Sequence, residues 1–185
     1  MKAIWTTQQP AGMHLVPDSA VIWRGNPWFV PADDCHGQPW QVHVGIAAVI
    51  DRLGTHIPPQ FAHRYFAKVA VVAHPGNAGS DHADAEWLRD GALAVGPDID
   101  AAALGDSITV TLRTKDGRTE TVQVDTAALM QRLREAIVHV SRFVTVKTGD
   151  LVVIDSMLAP VQVAEGTDFT VALADNDRAL VFKTR

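Results

Sequence analysis

The sequence predicts a strand-dominated α+β domain with one substantial helix, and three observations lead there. Short apolar or alternating runs recur along the chain, bounded by Gly, Pro, Asn or Asp. Two of them, centred on Ile108–Leu112 and Val122–Val124, flank an Asp116-Gly117 turn, a strong β-hairpin signature. A sustained helical period appears in one stretch, from about 126 to 142.

Composition sets the outer bounds. A chain of 185 residues is long enough for one domain over 1–185 and can bury roughly 70% of its unfolded surface without disulfides or a structural metal. A net charge of −5 and a pI near 5.8 argue against a nucleic-acid backbone or an anionic membrane as principal partner. The single cysteine, Cys35, excludes an intramolecular disulfide and a four-cysteine zinc site. The longest strongly apolar run, Val69–Ala73, falls far short of the ~20 residues a spanning helix needs. The first residues hold no apolar core of signal-peptide length, so the expectation is a soluble cytoplasmic protein.

Read in order, Ser19–Trp23 and Pro27–Val30 suggest short strands joined by a turn at Arg24-Gly25-Asn26, and Asp33–Pro39 a polar loop. Trp40–Ile50 suggests a strand with Val42, Val44, Ile46 and Ala48 on one face, His43 and Gly45 on the other. Pro58-Pro59 opens a short helix over about 58–67, with Phe61, Ala62, Tyr65 and Phe66 as a narrow apolar stripe. Val69–Ala73 is a buried strand entering a loop at His74-Pro75-Gly76-Asn77. Asp125 or Thr126 caps the long helix, whose buried stripe is Leu129, Leu133, Ile137 and Val140. Strands follow at Leu151–Ile154, Phe169–Leu173 and Ala179–Phe182, the last two turning at Asp175-Asn176-Asp177.

That order of elements, together with particular residues, resembles the fumarylacetoacetate hydrolase family. The most specific stretch is Ser141–Asp150, SRFVTVKTGD: a serine closing a helix, a short threonine strand, then a Gly-Asp turn. Gly96-Pro97-Asp98, the Asp116-Gly117 hairpin, Pro17–Ala20 with Asn26–Pro31, and Ile50–Phe66 fall in the family's order, as in a compact bacterial branch. The resemblance runs from about Pro17 to about Leu173. It implies a β-roll or sandwich with the active site at one mouth, usually a homodimer. Members hydrolyse, isomerise, hydrate or decarboxylate small 2-oxo or 1,3-diketo acids, with Mg²⁺, Mn²⁺ or Ca²⁺ held by carboxylates; such hard cations take oxygen ligands.

The chemical motifs depart from that pattern. The family's Glu-X-Glu ligand pair corresponds to His43 and Gly45, and its third ligand, an Asp, falls at or near His74. The segment after it becomes Gly76–Gly79, the Thr-Gly-Thr-Pro substrate loop becomes Ile154–Met157, and the N-terminal segment supplying a catalytic His and Glu has no counterpart. The sequence therefore points to a family fold without the carboxylate metal site, needing no cofactor and binding a small organic acid or partnering an active relative. The alternative is an active enzyme with a rearranged site. Its candidate metal ligands are His43, His74 and Asp81 (Zn²⁺ suits imidazole better than Mg²⁺ does), and its acid–base candidates His43, His74 and His82. Gly45, Asn77, Asp155 and Ser156 are the candidate pocket residues.

Other chemistry is weaker. Cys35-His36 are neighbours on a loop with no orienting group, so the thiol reads as ordinary. Ser156 lacks the Gly-X-Ser-X-Gly context of a nucleophile elbow and reads as a strand-end serine. Gly76–Gly79 has no following lysine for a phosphate loop. Four of the five tryptophans precede residue 41, which suggests one local aromatic cluster.

Overall fold

Two apolar strands buried on both faces organise the molecule. In the computed structural model, residues 1–8, 11–23, 26–30, 39–77, 83–156 and 158–185 are described. The first strands, β1 (Lys2–Gln8), β2 (Ala11–Pro17) and β3 (Val21–Trp23), precede the long strands β4 (Trp40–Ile50) and β5 (Phe66–Gly76). A four-residue helix α1 (Ala83–Glu86) leads to β6 (Leu93–Val95), β7 (Ile99–Asp100), β8 (Ser107–Thr114) and β9 (Thr119–Asp125). Helix α2 (Thr126–Ser141) is followed by β10 (Leu151–Asp155), β11 (Val161–Val163), β12 (Phe169–Leu173) and β13 (Asn176–Phe182).

The larger sheet has the order β2-β1-β10-β4-β5-β6-β3, with β11 also on β4 and β7 also on β5; a second sheet runs β13-β12-β8-β9. The main core lies between the two sheets and α2. Val42, Val44, Ile46 and Ala48 face it from β4, Leu112 and Val171 from the small sheet, and Leu129, Leu133, Ile137 and Val140 from α2. The opposite face of the large sheet packs separately, through Trp5, Ala47, Ala70, Val72, Leu93 and Val153. Burial on both sides explains why β4 and β5 read as nearly continuous apolar runs.

Helix α2 and the Asp116-Gly117 hairpin form as the sequence predicts. The Asp125 carboxylate accepts from the Ala128 N–H at 2.7 Å, capping α2. Gly117 supplies the positive φ, 95°, that the hairpin turn requires.

Several expectations need correction. The short helix over 58–67 is a 3-10 turn, Pro59–Arg64, that buries only Ala62; Phe66 already belongs to β5. Two prolines at its start and an eclipsed i, i+3 geometry suit a brief turn, not an α-helix. His74-Pro75-Gly76 is strand, paired with Gln41–His43. Beyond Ala73, β6 no longer pairs with β5, so Pro75 meets no ladder that needs its missing N–H. No hairpin joins residues 19–23 to 27–30: β3 runs parallel to β6, and Trp28 bridges Thr184. β1 and β2 were not anticipated, and the last hairpin turns at Ala174-Asp175, one residue earlier than expected. The tryptophans divide between faces: Trp28 packs edge-on to Trp40 at 5.3 Å, whereas Trp5 meets Trp87.

The stretch Ser141–Asp150 is a tie point. The Ser141 hydroxyl accepts from the Ile57 N–H, and Val146 bridges Gly54. The buried Asp150 carboxylate accepts from the backbone N–H groups of Lys2 and Lys147 and pairs with the Lys2 ammonium. That fixes the start of β1 beside β10, its parallel partner.

Gly96, just past β6, lies against β13 of the second sheet. A Cβ there would lie 1.9 Å from the Ala179 carbonyl oxygen on β13, so no larger residue fits without backbone movement. Overpacking a tight core costs about 1–3 kcal/mol and occasionally more. Gly96→Ala is expected to lie at or beyond the upper end, read as a fall in the urea midpoint with an unchanged m-value. A midpoint equal to wild type would show that the sheets have slack here.

Candidate functional site

The second face of the large sheet carries the chemistry. Alternation puts His43 and Gly45 on that face of β4, and the ladder sets His43 directly opposite His74 on β5 and Gly45 opposite Val72. On its other side Gly45 pairs with Asp155, the last residue of β10. Three sequence-predicted positions, 43, 45 and 74, thus converge, with Asp155 beside them.

The imidazoles are unlike each other. His74 is buried, its Nδ1–H donating to the Ala92 carbonyl at 2.7 Å, which leaves Nε2 with the lone pair in the neutral ring. Its ring stacks on Trp87 at 3.6 Å between centroids and 9° between planes. Trp87 stacks on its other side against His14 of β2, at 4.4 Å. The result is a His74–Trp87–His14 stack, with Trp5 tilted against Trp87 at 5.6 Å. His43 is half-buried, its ring centroid 6.5 Å from that of His74. Burial pushes the His43 pKa down, partly opposed by the Asp155 carboxylate.

The other candidates are dispersed. Ser156 is buried, its N–H donating to the Val44 carbonyl and its hydroxyl accepting from the Leu158 N–H, in keeping with a strand-end role. Asn77 is buried just past β5, and its N–H donates to the Glu86 carboxylate at 2.9 Å. Arg132 of α2 donates to the Asp155 carbonyl. Asp81, His82, Cys35 and His36 lie outside the described residues.

Sequence reasoning missed Trp5, His14, Trp87 and Glu86. Nothing local marks them: they come from β1, β2 and the α1 segment, and only the β1–β10 and β5–β6 pairings bring those segments to one face.

A hard divalent cation does not fit these residues. Gly45 offers no donor, and the space a side chain would need is filled: a Cβ would lie 2.7 Å from the Trp5 ring and 2.7 Å from Val153. A carboxylate at 45 would therefore displace the Trp5 ring. His74 presents only a neutral imidazole nitrogen, Nε2, because Nδ1 is committed to Ala92, and hard cations take oxygen ligands. Among the described residues no three His, Cys, Asp or Glu side chains come together as a metal-binding group.

Burial drives the His74 pKa from 6.5 to about 3; the Ala92 bond opposes this, while His43, His14 and Arg89 add to it. With the folded value below the unfolded one, the unfolded chain takes up a proton that the native state refuses. Stability is therefore lost as pH falls from 6.5 toward 3, by about 1.4 kcal/mol per pH unit. Urea unfolding at pH 7, 6, 5 and 4 is expected to show this loss, and His74→Asn, which keeps a donor for Ala92, is expected to have a correspondingly shallower slope. Parallel profiles for the two proteins would rule out a buried neutral His74.

Comparison with known proteins agrees with the fold. The family model described as fumarylacetoacetate (FAA) hydrolase C-terminal matches residues 2–157. Among solved structures, a Pseudomonas aeruginosa fumarylpyruvate hydrolase in complex with Mn²⁺ and pyruvate superposes with a TM-score of 0.78 at 16% identity, covering 100% of this chain and 89% of that one. A Mycobacterium marinum 2-hydroxyhepta-2,4-diene-1,7-dioate isomerase gives 0.81 at 16%, covering 99% and 73%. A Sphingobium maleylpyruvate hydrolase gives 0.77 at 18%, covering 100% and 70%. These identities establish a shared fold. No functionally curated protein matches the sequence. With a family model spanning β1 through β10, and a mostly β fold carrying one long helix as in those structures, the chain belongs to the fumarylacetoacetate hydrolase family.

Proposed function

We propose that this protein binds a small organic acid, of the 2-oxo class its solved neighbours handle, without metal-dependent turnover. One observation carries the reading: the Trp5 ring occupies the space a carboxylate at position 45 would need. His74 supports it, because a buried imidazole stands where the resemblance places a carboxylate ligand, and hard cations take oxygen ligands. His43, half-buried, is the group left to donate an N–H to a ligand carboxylate, with Asp155 beside it. The protein then acts as a binding or accessory member of the family, in the cytoplasm and as a homodimer. A second copy would cover apolar side chains left exposed, such as Phe29 and Phe143.

A second reading rests on the Asp155 carboxylate, whose charge favours the protonated form of His43. Such a pair suits metal-free acid–base chemistry on an enolisable 2-oxo acid, with His43 moving the proton.

The two readings separate on one set of assays. Oxaloacetate, acylpyruvates and fumarylpyruvate are tested with and without Mg²⁺, Mn²⁺ and Zn²⁺, alongside thermal shifts with pyruvate and oxaloacetate. Expected are no turnover and a rise in Tm that His43→Ala abolishes. Metal-dependent turnover lost in both His43→Ala and His74→Ala would overturn the binding reading. Metal-independent turnover lost in His43→Ala would establish the second.

A further inference from the structure

Helix α2 turns a second, chemically different face away from the core. Gln131, Arg134, Glu135, Val138, His139 and Arg142 recur at i, i+3, i+4, i+7, i+8 and i+11 along it, and with Pro59 of the 3-10 turn they line a cleft of about 270 Å³. That is near the lower end of small-molecule sites, about 300–1,000 Å³.

The charges of this cleft are unbalanced. Among the described residues neither the Arg134 nor the Arg142 guanidinium has an ion pair or a hydrogen-bond partner, and the Arg134 Nε is buried with none. Glu135, the one carboxylate of the lining, instead accepts from Gln131 one turn away at 2.8 Å. Favourable interaction with the helix dipole accounts for a cation at the C-terminal end, at Arg142. It does not account for Arg134, mid-helix, with a desolvated donor; a buried donor without an acceptor is costly and calls for a partner.

We propose that this cleft is a binding site for a small molecule with two oxyanion ends, a dicarboxylate or a phosphate–carboxylate, spanned between Arg134 and Arg142. The two Cα atoms are eight residues apart, about 12 Å along the helix axis. Two flexible arginines can close that distance on a ligand several bonds long, each engaging one end through paired N–H donors. A single small ion would satisfy one guanidinium and leave the other unmatched. The site is on the far side of the main core from the imidazoles and does not depend on their role.

Calorimetric titration of the full chain tests it, with glutarate and 3-phosphoglycerate as two-ended probes and acetate and inorganic phosphate as one-ended controls. At least one two-ended probe is expected to saturate one site, at least about tenfold tighter than either control, because it adds a second set of charge-assisted hydrogen bonds. Which probe binds tighter identifies the second end as carboxylate or phosphate. Arg134→Gln and Arg142→Gln are each expected to weaken binding about tenfold or more, whereas the exposed Arg178→Gln on β13 leaves it unchanged. Both arginine variants change side chains outside the core, and unaltered Tm values would confirm that they fold. The proposal is overturned by absence of saturable binding, by equal affinity for the one-ended controls, by insensitivity to both arginine variants, or by loss in His43→Ala, which would place the ligand at the imidazoles. It is equally overturned if Arg134→Gln changes the sedimentation coefficient and not the affinity, because the cleft would then be an interface between copies.

Discussion

The pairing of β4 with β5 is the constraint from which the rest follows. Its ladder runs from Gln41↔Gly76 to Ile50↔Phe66, with one irregularity near Val49. A slip of one residue would exchange the two faces of a strand, sending Val42, Val44 and Ile46 out of the main core and His43 into it. The register is therefore held by burial on both sides at once. β10 and β1 extend the sheet from one edge of this pair and β6 and β3 from the other, so every segment reaching the candidate site is placed by it.

The same ladder brings together the three positions that the resemblance assigns to metal ligands. Positions 43 and 74 are cross-strand partners and 45 is two residues along the same face, an arrangement in which three side chains can converge. The space is used differently here. Trp5 comes from β1, which Asp150 anchors beside β10, and its ring lies over Gly45. Trp87 comes from the segment between α1 and β6 and lies flat on His74. Aromatic rings thus pack against both Gly45 and His74 on this face.

Legibility in the sequence tracks how local the determinant is. The capped α2, the Asp116-Gly117 hairpin and the alternation of β4 depend on neighbours within a few residues, and their patterns are plain. β1 and β2 were missed because neither shows a clear apolar alternation; Lys2–Gln8 is held by β2 on one side and by β10, about 150 residues away, on the other. His74-Pro75-Gly76 looked like a loop because Pro and Gly punctuate turns, and only the absence of a partner on one edge makes them admissible in a strand. His43, Gly45 and His74, picked out by position in the family pattern, do lie together on one face of the β4–β5 pair. Trp5, His14 and Trp87 were not picked out, since ring stacking between three separate segments leaves no trace in the order of residues.

Strand alternation also explains how such a site can change while the scaffold stays intact. His43 and Gly45 on β4, and His74 on β5, lie on the face opposite Val42, Val44, Ile46, Val71 and Ala73. The main core, α2 and the second sheet meet only the latter set. A substitution at 43, 45 or 74 therefore alters the smaller cluster and its aromatic cover without opening a cavity between the sheets, where lost packing would cost about 2–5 kcal/mol per large side chain. The motifs that survive recognisably, Ser141 with its bond to Ile57, Asp150 with its bonds to Lys2 and Lys147, and Gly96 at the contact with β13, all serve the joining of elements. A sheet with two buried faces separates the two demands, one face fixing the fold and the other carrying the imidazoles and the rings stacked on them.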